Sequence, residues 1–251
     1  MKNRLEEILI IIKGAGEIIK EGFAKTKDIT FKSEIDLVTQ YDLRVERYLC
    51  DAFSIVAPEY QIVAEESYKQ EKRGDKLIVI DPIDGTTNFI HQIPHVAISV
   101  AFLNDEGQNI GIIYNPILEE LFIGIEGGGA TLNGEKITMS NNRELSKSLV
   151  ATGFPYSIVD DEVVRKDVVS ALNNVLSTVR GIRRLGSAAL DLCYLSCGKF
   201  DIFYEYNLKP WDVAAGIVIL NECGGVALNK NGKRYDIFSD ELLVSSNREL
   251  A

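Results

Sequence analysis

The sequence predicts an α+β chain that turns α/β in its second part, and three observations carry this reading. Residues 3–24 place Leu5, Ile8, Leu9, Ile12, Ile19 and Phe23 at helical spacing between charged residues. Segments 96–104, 110–115 and 120–125 are apolar runs separated by Gly107 and by Asn115-Pro116, the pattern of successive strands joined by tight turns. Beyond about residue 150, helical segments at 161–176, 187–197 and 212–222 alternate with short strand-like runs.

The first helix is weakened by Gly14 and Gly16 but keeps its apolar stripe. A second helical pattern spans 42–53, after the stretch 33–40. Residues 76–81 (KLIVID) read as a strand that delivers Asp81 to a loop. Asn133-Gly134 is a hairpin signal. In the second part the strand-like runs lie near 148–152, 179–183, 200–205 and 242–246. There is no internal repeat, low-complexity tract or Pro/Gly/Ser-rich linker. The expectation is a helix-plus-antiparallel-sheet part over 1–147 and an α/β part over 148–251, packed as one body with a site between them.

Composition narrows the function. The 251 residues are 46% hydrophobic and 25% charged, which argues against disorder, collagen and coiled coil. Lys plus Arg is 27 and Asp plus Glu 37, a net charge of −10. So acidic a chain is not expected to bind nucleic acid through a general phosphate-neutralising surface, but it can hold cations. With only His91 and His95, a His-rich zinc or iron site is nearly excluded; a metal would need oxygen ligands, as Mg²⁺, Mn²⁺ or Ca²⁺ do. Cys50, Cys193, Cys197 and Cys223 form no CxxC pair and no disulfide framework, and Cys193 and Cys197 read as small core residues. The apolar run at 8–12 follows Glu6 and Glu7, so neither a signal peptide nor a membrane span is expected there, and the cytoplasm is the expected location.

The densest chemical signal is residues 81–89 (DPIDGTTNF). Asp81 and Asp84 flank Pro82, which stiffens the backbone between them. Such a segment can aim both carboxylates and an intervening carbonyl into one space, the oxygen set that hard divalent cations take. Two cations about 4 Å apart can share a bridging carboxylate and clamp a phosphate. A helix beginning near Gly85 would present the free amides of Gly85, Thr86 and Thr87 to an anion. Glu65 and Glu66, after the apolar run 61–63, read by themselves as a charged turn. Asp212 at a helix start reads by itself as an N-terminal cap. Either acid gains a metal role only if the fold brings it to Asp81 and Asp84.

Taken together, these segments resemble the inositol monophosphatase family of Mg²⁺-dependent, lithium-sensitive phosphatases. Residues 81–89 match the family's first signature and 211–216 (WDVAAG) its second. Residues 65–67 match the acidic turn, and 36–39 (DLVT) with Asp42 match the DLVTxxD segment. Residues 151–155 (ATGFP) and 184–191 (RLGSAALD) are most similar to the bacterial branch. The resemblance implies a layered αβαβα sandwich of the sugar-phosphatase type, and usually a homodimer.

By position, it implies that Glu65, Asp81 and the Ile83 carbonyl hold one metal, and that Asp81, Asp84 and Asp212 hold a second. Glu65 would help place a third, so two or three Mg²⁺ ions are implied, with Mn²⁺ as a substitute. Asp42 would pair with Thr86, whose hydroxyl orients the attacking water, so Glu65, Thr86 and Asp42 form the catalytic set. Asp84 and the amides of Gly85 and Thr86 would bind phosphate. Glu205 and the backbone near Ala188 would meet substrate hydroxyls, and Lys32 sits on a loop that approaches the metals.

The implied activity is hydrolysis of myo-inositol monophosphate or a similar polyol or sugar phosphate by metal-activated water, without a protein nucleophile. Fructose 1,6-bisphosphate, histidinol phosphate and 3′-phosphoadenosine 5′-phosphate are the alternatives within the superfamily. Glu205 favours a polyhydroxylated substrate. The sequence displays no aromatic cluster placed for a nucleotide base, and Lys209, just before the second signature, reads by itself as a solvated lysine, with a second phosphate or carboxylate of the substrate as the alternative partner. A reading of another class is a regulatory protein that binds the transcription machinery, through Arg183-Arg184. A third is a metal-binding fold without catalysis.

Overall fold

The structure, a computed structural model, describes residues 2–25, 29–31, 37–69, 74–105, 107–155, 158–238 and 241–250. Lys32 and Asp36 lie outside the described residues. Helices α1 (Lys2–Phe23) and α2 (Gln40–Val56) pack together on one face of a seven-stranded sheet, beside a short antiparallel ribbon of β1 (Ile29–Phe31) and β2 (Leu37–Thr39). The sheet contains β3 (Gln61–Ala64), β4 (Lys76–Asp84), β5 (Ala97–Asn104), β6 (Ile110–Asn115), β7 (Glu120–Ile125), β8 (Gly129–Leu132) and β9 (Glu135–Lys136), in that spatial order. Its ladders are antiparallel except β3–β4, which is parallel. The first sheet is therefore mixed rather than purely antiparallel, because β4 runs in the same direction as β3.

Strand alternation feeds two cores. Ile78 and Ile80 of β4 and Ile98, Val100 and Phe102 of β5 join Ile8, Ile12, Ile19, Val45, Leu49 and Phe53 of the helices. Burial of each such isoleucine contributes about 1.5–3 kcal/mol. Leu77, Val79, Ala97 and Ala101 point the other way, onto α5 (Ala188–Ser196) and α6 (Pro210–Glu222). Helix α6 lies close to the sheet because two strand positions lack side chains. A Cβ at Gly111 would sit 2.2 Å from the Ala215 carbonyl oxygen, and one at Gly124 2.7 Å from the Ile219 Cα.

Helices α5 and α6 are apolar on both faces because they form a central layer. Leu190, Cys193, Ala215 and Ile219 meet the first sheet, while Leu192, Leu195, Val213, Ile217 and Leu220 meet a second. That sheet has the order β11 (Gly181–Arg183), β10 (Leu149–Thr152), β12 (Ile202–Tyr206), β14 (Glu241–Ser245), β13 (Val226–Leu228). The pairs β10–β11 and β10–β12 are parallel, whereas β14 is antiparallel to both neighbours. On its outer face Val175 of α4 (Glu162–Leu176) packs near Val150 and Ile202. The layers are thus helix, sheet, helix, sheet, helix.

Most elements fall where the sequence pattern puts them. Asn133 (φ 50°) and Gly134 (φ 85°) make the β8–β9 turn. Cys193 is fully buried in the core between α5 and the first sheet, and the four cysteines are free thiols. Among the described residues no helix is long and apolar enough to cross a membrane.

Candidate active site

Helix α2 starts at Gln40, ahead of its apolar pattern, because Thr39 caps it. The Thr39 hydroxyl accepts from the Tyr41 amide (3.1 Å), and Asp42 reaches back to accept from the Thr39 amide (2.8 Å) and hydroxyl (2.5 Å). This use of one Asp42 oxygen leaves the other for Thr86, whose hydroxyl lies 3.0 Å from Asp42 Oδ1 and 3.1 Å from the Ile83 carbonyl oxygen. Burial raises the Asp42 pKa, and the hydrogen bonds from Thr39 and Thr86 oppose that rise.

Strand β4 does not end at Asp81. It continues to Asp84, and its pairing with β5 slips: Asp81 faces Ser99, and Asp84 faces Ala97. Three steps on β4 thus match two on β5, a β-bulge. In a regular strand residues three apart point to opposite faces. The extra residue cancels that inversion and turns both carboxylates to one side. Ser99, opposite Asp81, donates to the Trp211 carbonyl (3.2 Å) and so docks the first turn of α6 beside the bulge.

Four acids meet there. Asp81 is buried, and its Oδ1 has no hydrogen-bond partner. Its pKa is raised well above the usual carboxylate range by burial first, then by the charges of Glu65, Asp84, Asp212 and Asp42. Asp84 accepts from the Ser187 hydroxyl (2.6 Å) and the Ala189 amide (2.7 Å) at the start of α5. Burial outweighs those bonds and pushes its pKa up to about 6. Asp212 accepts from the Lys209 amide (2.7 Å) as the capping residue of α6, and its pKa is also raised well above the usual value, by burial and then by Asp84 and Glu65. The Glu65 amide donates to the Ile80 carbonyl (3.1 Å), which fixes the acidic turn to β4.

Among the described residues no three acid, His or Cys side chains are closed around a metal-sized position; like charges do not close in on one another unaided. The donor set nevertheless fits a hard divalent cation. Every donor is oxygen, and the bare Asp81 oxygen is a buried acceptor without a donor.

A cavity of about 650 Å³ opens above these acids. Glu65, Asp84, Gly85, Thr86, Ala188, Glu205 and Asp212 all line it. Asp42, Asp81 and Ile83 are not on its wall: Asp42 and the Ile83 carbonyl reach it through Thr86, and Asp81 through its charge coupling to Glu65, Asp84 and Asp212. Glu205 comes in from β12, its pKa raised well above the usual value by burial and by Asp212, Asp191 and Asp84. It has room because residue 153 is glycine; a Cβ there would lie 2.0 Å from Glu205 Oε1. The exposed side chains of Arg184 and Lys209 also line the cavity.

Sequence reasoning finds no aromatic cluster, yet Phe154, Tyr206 and Trp211 share the wall, and Tyr68 meets Trp211 edge-on at 5.2 Å. Tyr68, Phe154 and the stretch with Tyr206 and Trp211 are far apart in the chain, and only folding assembles them. The absence of an aromatic surface therefore no longer argues against a nucleotide substrate.

Other groups near the site are also silent in sequence. Asn88 donates through Nδ2 to the His95 and Leu185 carbonyls (both 2.8 Å), tying the first signature to the approach of α5. His95 Nε2 lies 3.6 Å from Asp191 Oδ1, a buried pair of which Asp191 is part of the cavity wall. Glu46, one turn after Asp42, accepts from the Glu66 amide (2.7 Å). The four-residue spacing from Asp42 puts both on the buried face of α2.

Residues 4–251 match the Inositol monophosphatase family. Inositol monophosphatase 3 of Solanum lycopersicum is 40% identical over 230 residues, covering 90% of this chain and 85% of its own. The Nus factor SuhB of Pasteurella multocida (strain Pm70) is 35% identical, over 93% of this chain and 88% of its own. The crystal structure of the extragenic suppressor protein suhB from Bartonella henselae superimposes with a TM-score of 0.89 at 33% identity, covering 98% of this chain and 94% of that one. With the signatures, the layered fold and the full-length match in agreement, the chain belongs to the inositol monophosphatase family.

Proposed function

We propose that the protein is a Mg²⁺-dependent phosphomonoesterase that hydrolyses myo-inositol monophosphate and related polyol phosphates. The observation that carries the reading is the unpartnered, buried Asp81 oxygen among Glu65, Asp84 and Asp212, beside a cavity that also holds Glu205. Glu65, Asp81 and the Ile83 carbonyl would hold one cation, and Asp81, Asp84 and Asp212 a second. Magnesium bound there supplies Lewis-acid stabilisation of charge on the phosphoryl group.

The rest is the work of the chain itself. The Thr86 proton is directed at Asp42 Oδ1 and the Ile83 carbonyl, so Oγ1 keeps lone pairs with which to accept from a water and orient it. The amides of Gly85 and Thr86 bind phosphate oxygens at the start of α3 (Thr86–Ile90), where helix geometry leaves them without intrahelical acceptors. Glu205 accepts from substrate hydroxyls, and the backbone at Ala188 fixes their side of the ring. The name of the tomato relative supports the inositol substrate.

A second reading within the family rests on Arg184 and Lys209 at the cavity mouth, two cations that suit a second phosphate such as that of fructose 1,6-bisphosphate. Phosphate release is measured with inositol 1-phosphate, fructose 1,6-bisphosphate, histidinol phosphate and 3′-phosphoadenosine 5′-phosphate, each with Mg²⁺ and with chelator. Chelator-sensitive preference for inositol 1-phosphate is the expected result. Preference for the bisphosphate moves the assignment to the second reading, and release that survives the chelator rejects the metal mechanism.

A further inference from the structure

We propose that Glu46 is a positioning residue for the cation site: its carboxylate holds the 65–66 turn so that Glu65 faces Asp81 and Asp212. The inference rests on the reading of Glu65 as a metal ligand. Glu46 is only 5% exposed, on the α2 face that carries Val45, Leu49 and Phe53 into the core. A carboxylate so placed requires a donor, and Glu46 Oε2 accepts from the Glu66 amide at 2.7 Å. The preceding amide, of Glu65, donates to Ile80 of β4 at 3.1 Å. Two consecutive peptide groups are therefore anchored to two different elements, and the Glu65 backbone is held from both.

The same helix holds the other half of the site. Asp42, four residues earlier, takes the Thr86 hydroxyl, so α2 sets the separation between the acidic turn and the first signature.

The test is Mg²⁺ binding by titration calorimetry without substrate, on the full chain, for wild type, Glu46→Gln, Glu46→Leu and Asp81→Asn, with Tm recorded in chelator. Glu46→Leu fills the volume but offers no acceptor, and is expected to raise the Mg²⁺ dissociation constant about 10–100-fold, the usual effect of removing a group that orients a ligand. Glu46→Gln can still accept from the Glu66 amide and is expected to stay within about threefold of wild type. Wild-type affinity in Glu46→Leu, even with a lowered Tm, overturns the proposal and leaves only a structural role. Equal weakening in Glu46→Gln and Glu46→Leu also overturns it, because hydrogen-bond acceptance would then not be the cause. Asp81→Asn separates the two readings: if it binds Mg²⁺ as wild type does, the cation site itself is wrongly placed.

Discussion

At the scale of single residues, Asp81 and Thr86 divide the proposed chemistry between charge and orientation. Asp81→Asn keeps the shape but removes the negative charge coupled to Glu65, Asp84 and Asp212. Loss of a ligand shared by both proposed cations should lower turnover at least about 1,000-fold, roughly 4 kcal/mol of transition-state stabilisation. Steady-state phosphate release at saturating Mg²⁺ checks this, and turnover within about tenfold of wild type would reject the assignment. Thr86→Val also keeps the shape, but it deletes the hydroxyl between Asp42 and the Ile83 carbonyl. If that hydroxyl orients water rather than binding substrate, kcat should fall about 100-fold while KM stays within about threefold. An equal loss appearing in KM alone would mean that Thr86 serves substrate binding instead.

At the scale of elements, one residue often serves two structures, and this is where the sequence is hardest to read. Thr39 closes β2 and caps α2, so the apolar periodicity places the helix start late although the helix itself is plain. Thr39→Ala is expected to destabilise the fold by about 1 kcal/mol, while Thr39→Ser, which keeps the cap, should stay near wild type. Chemical denaturation of the two variants checks this; equal stability would show that the cap is dispensable. The bulge in β4 is a similar case. Pro82 suggests a turn after Asp81, but whether residues 82–84 leave the sheet depends on the register with β5, which the β4 segment does not encode alone. The nine-residue signature was legible as a cluster of oxygens. That both acids point the same way follows only from pairing Asp81 with Ser99 and Asp84 with Ala97. Glu46 was illegible because an acid on an amphipathic helix reads as solvated until a neighbouring turn brings it a buried amide.

At the scale of the whole molecule, folding assembles acids from three separate elements: the turn after β3, the bulge of β4 and the first turn of α6. The motifs and their order were readable, and the family's five-layered fold was readable through them. Their convergence was implied by the resemblance alone and not by the residues' own pattern, because it depends on α6 lying against Gly111 and Gly124 and on Ser99 reaching the Trp211 carbonyl. The assembly carries a cost for the metal-free protein, since the charges of Glu65, Asp84 and Asp212 each raise the proton affinity of Asp81. Cation binding should offset that repulsion and appear as stability. At about 100 times its dissociation constant, Mg²⁺ is expected to contribute ~2.7 kcal/mol, or roughly 5–10 °C in Tm for a chain of this size. Asp81→Asn makes the opposite prediction in both states. With one negative charge fewer, its Tm in chelator should exceed that of wild type, and added Mg²⁺ should raise it little. Thermal unfolding of the two proteins across a Mg²⁺ series decides the matter. If Asp81→Asn is less stable than wild type in chelator yet gains as much from Mg²⁺, these carboxylates are ordinary buried acids and the cation site lies elsewhere.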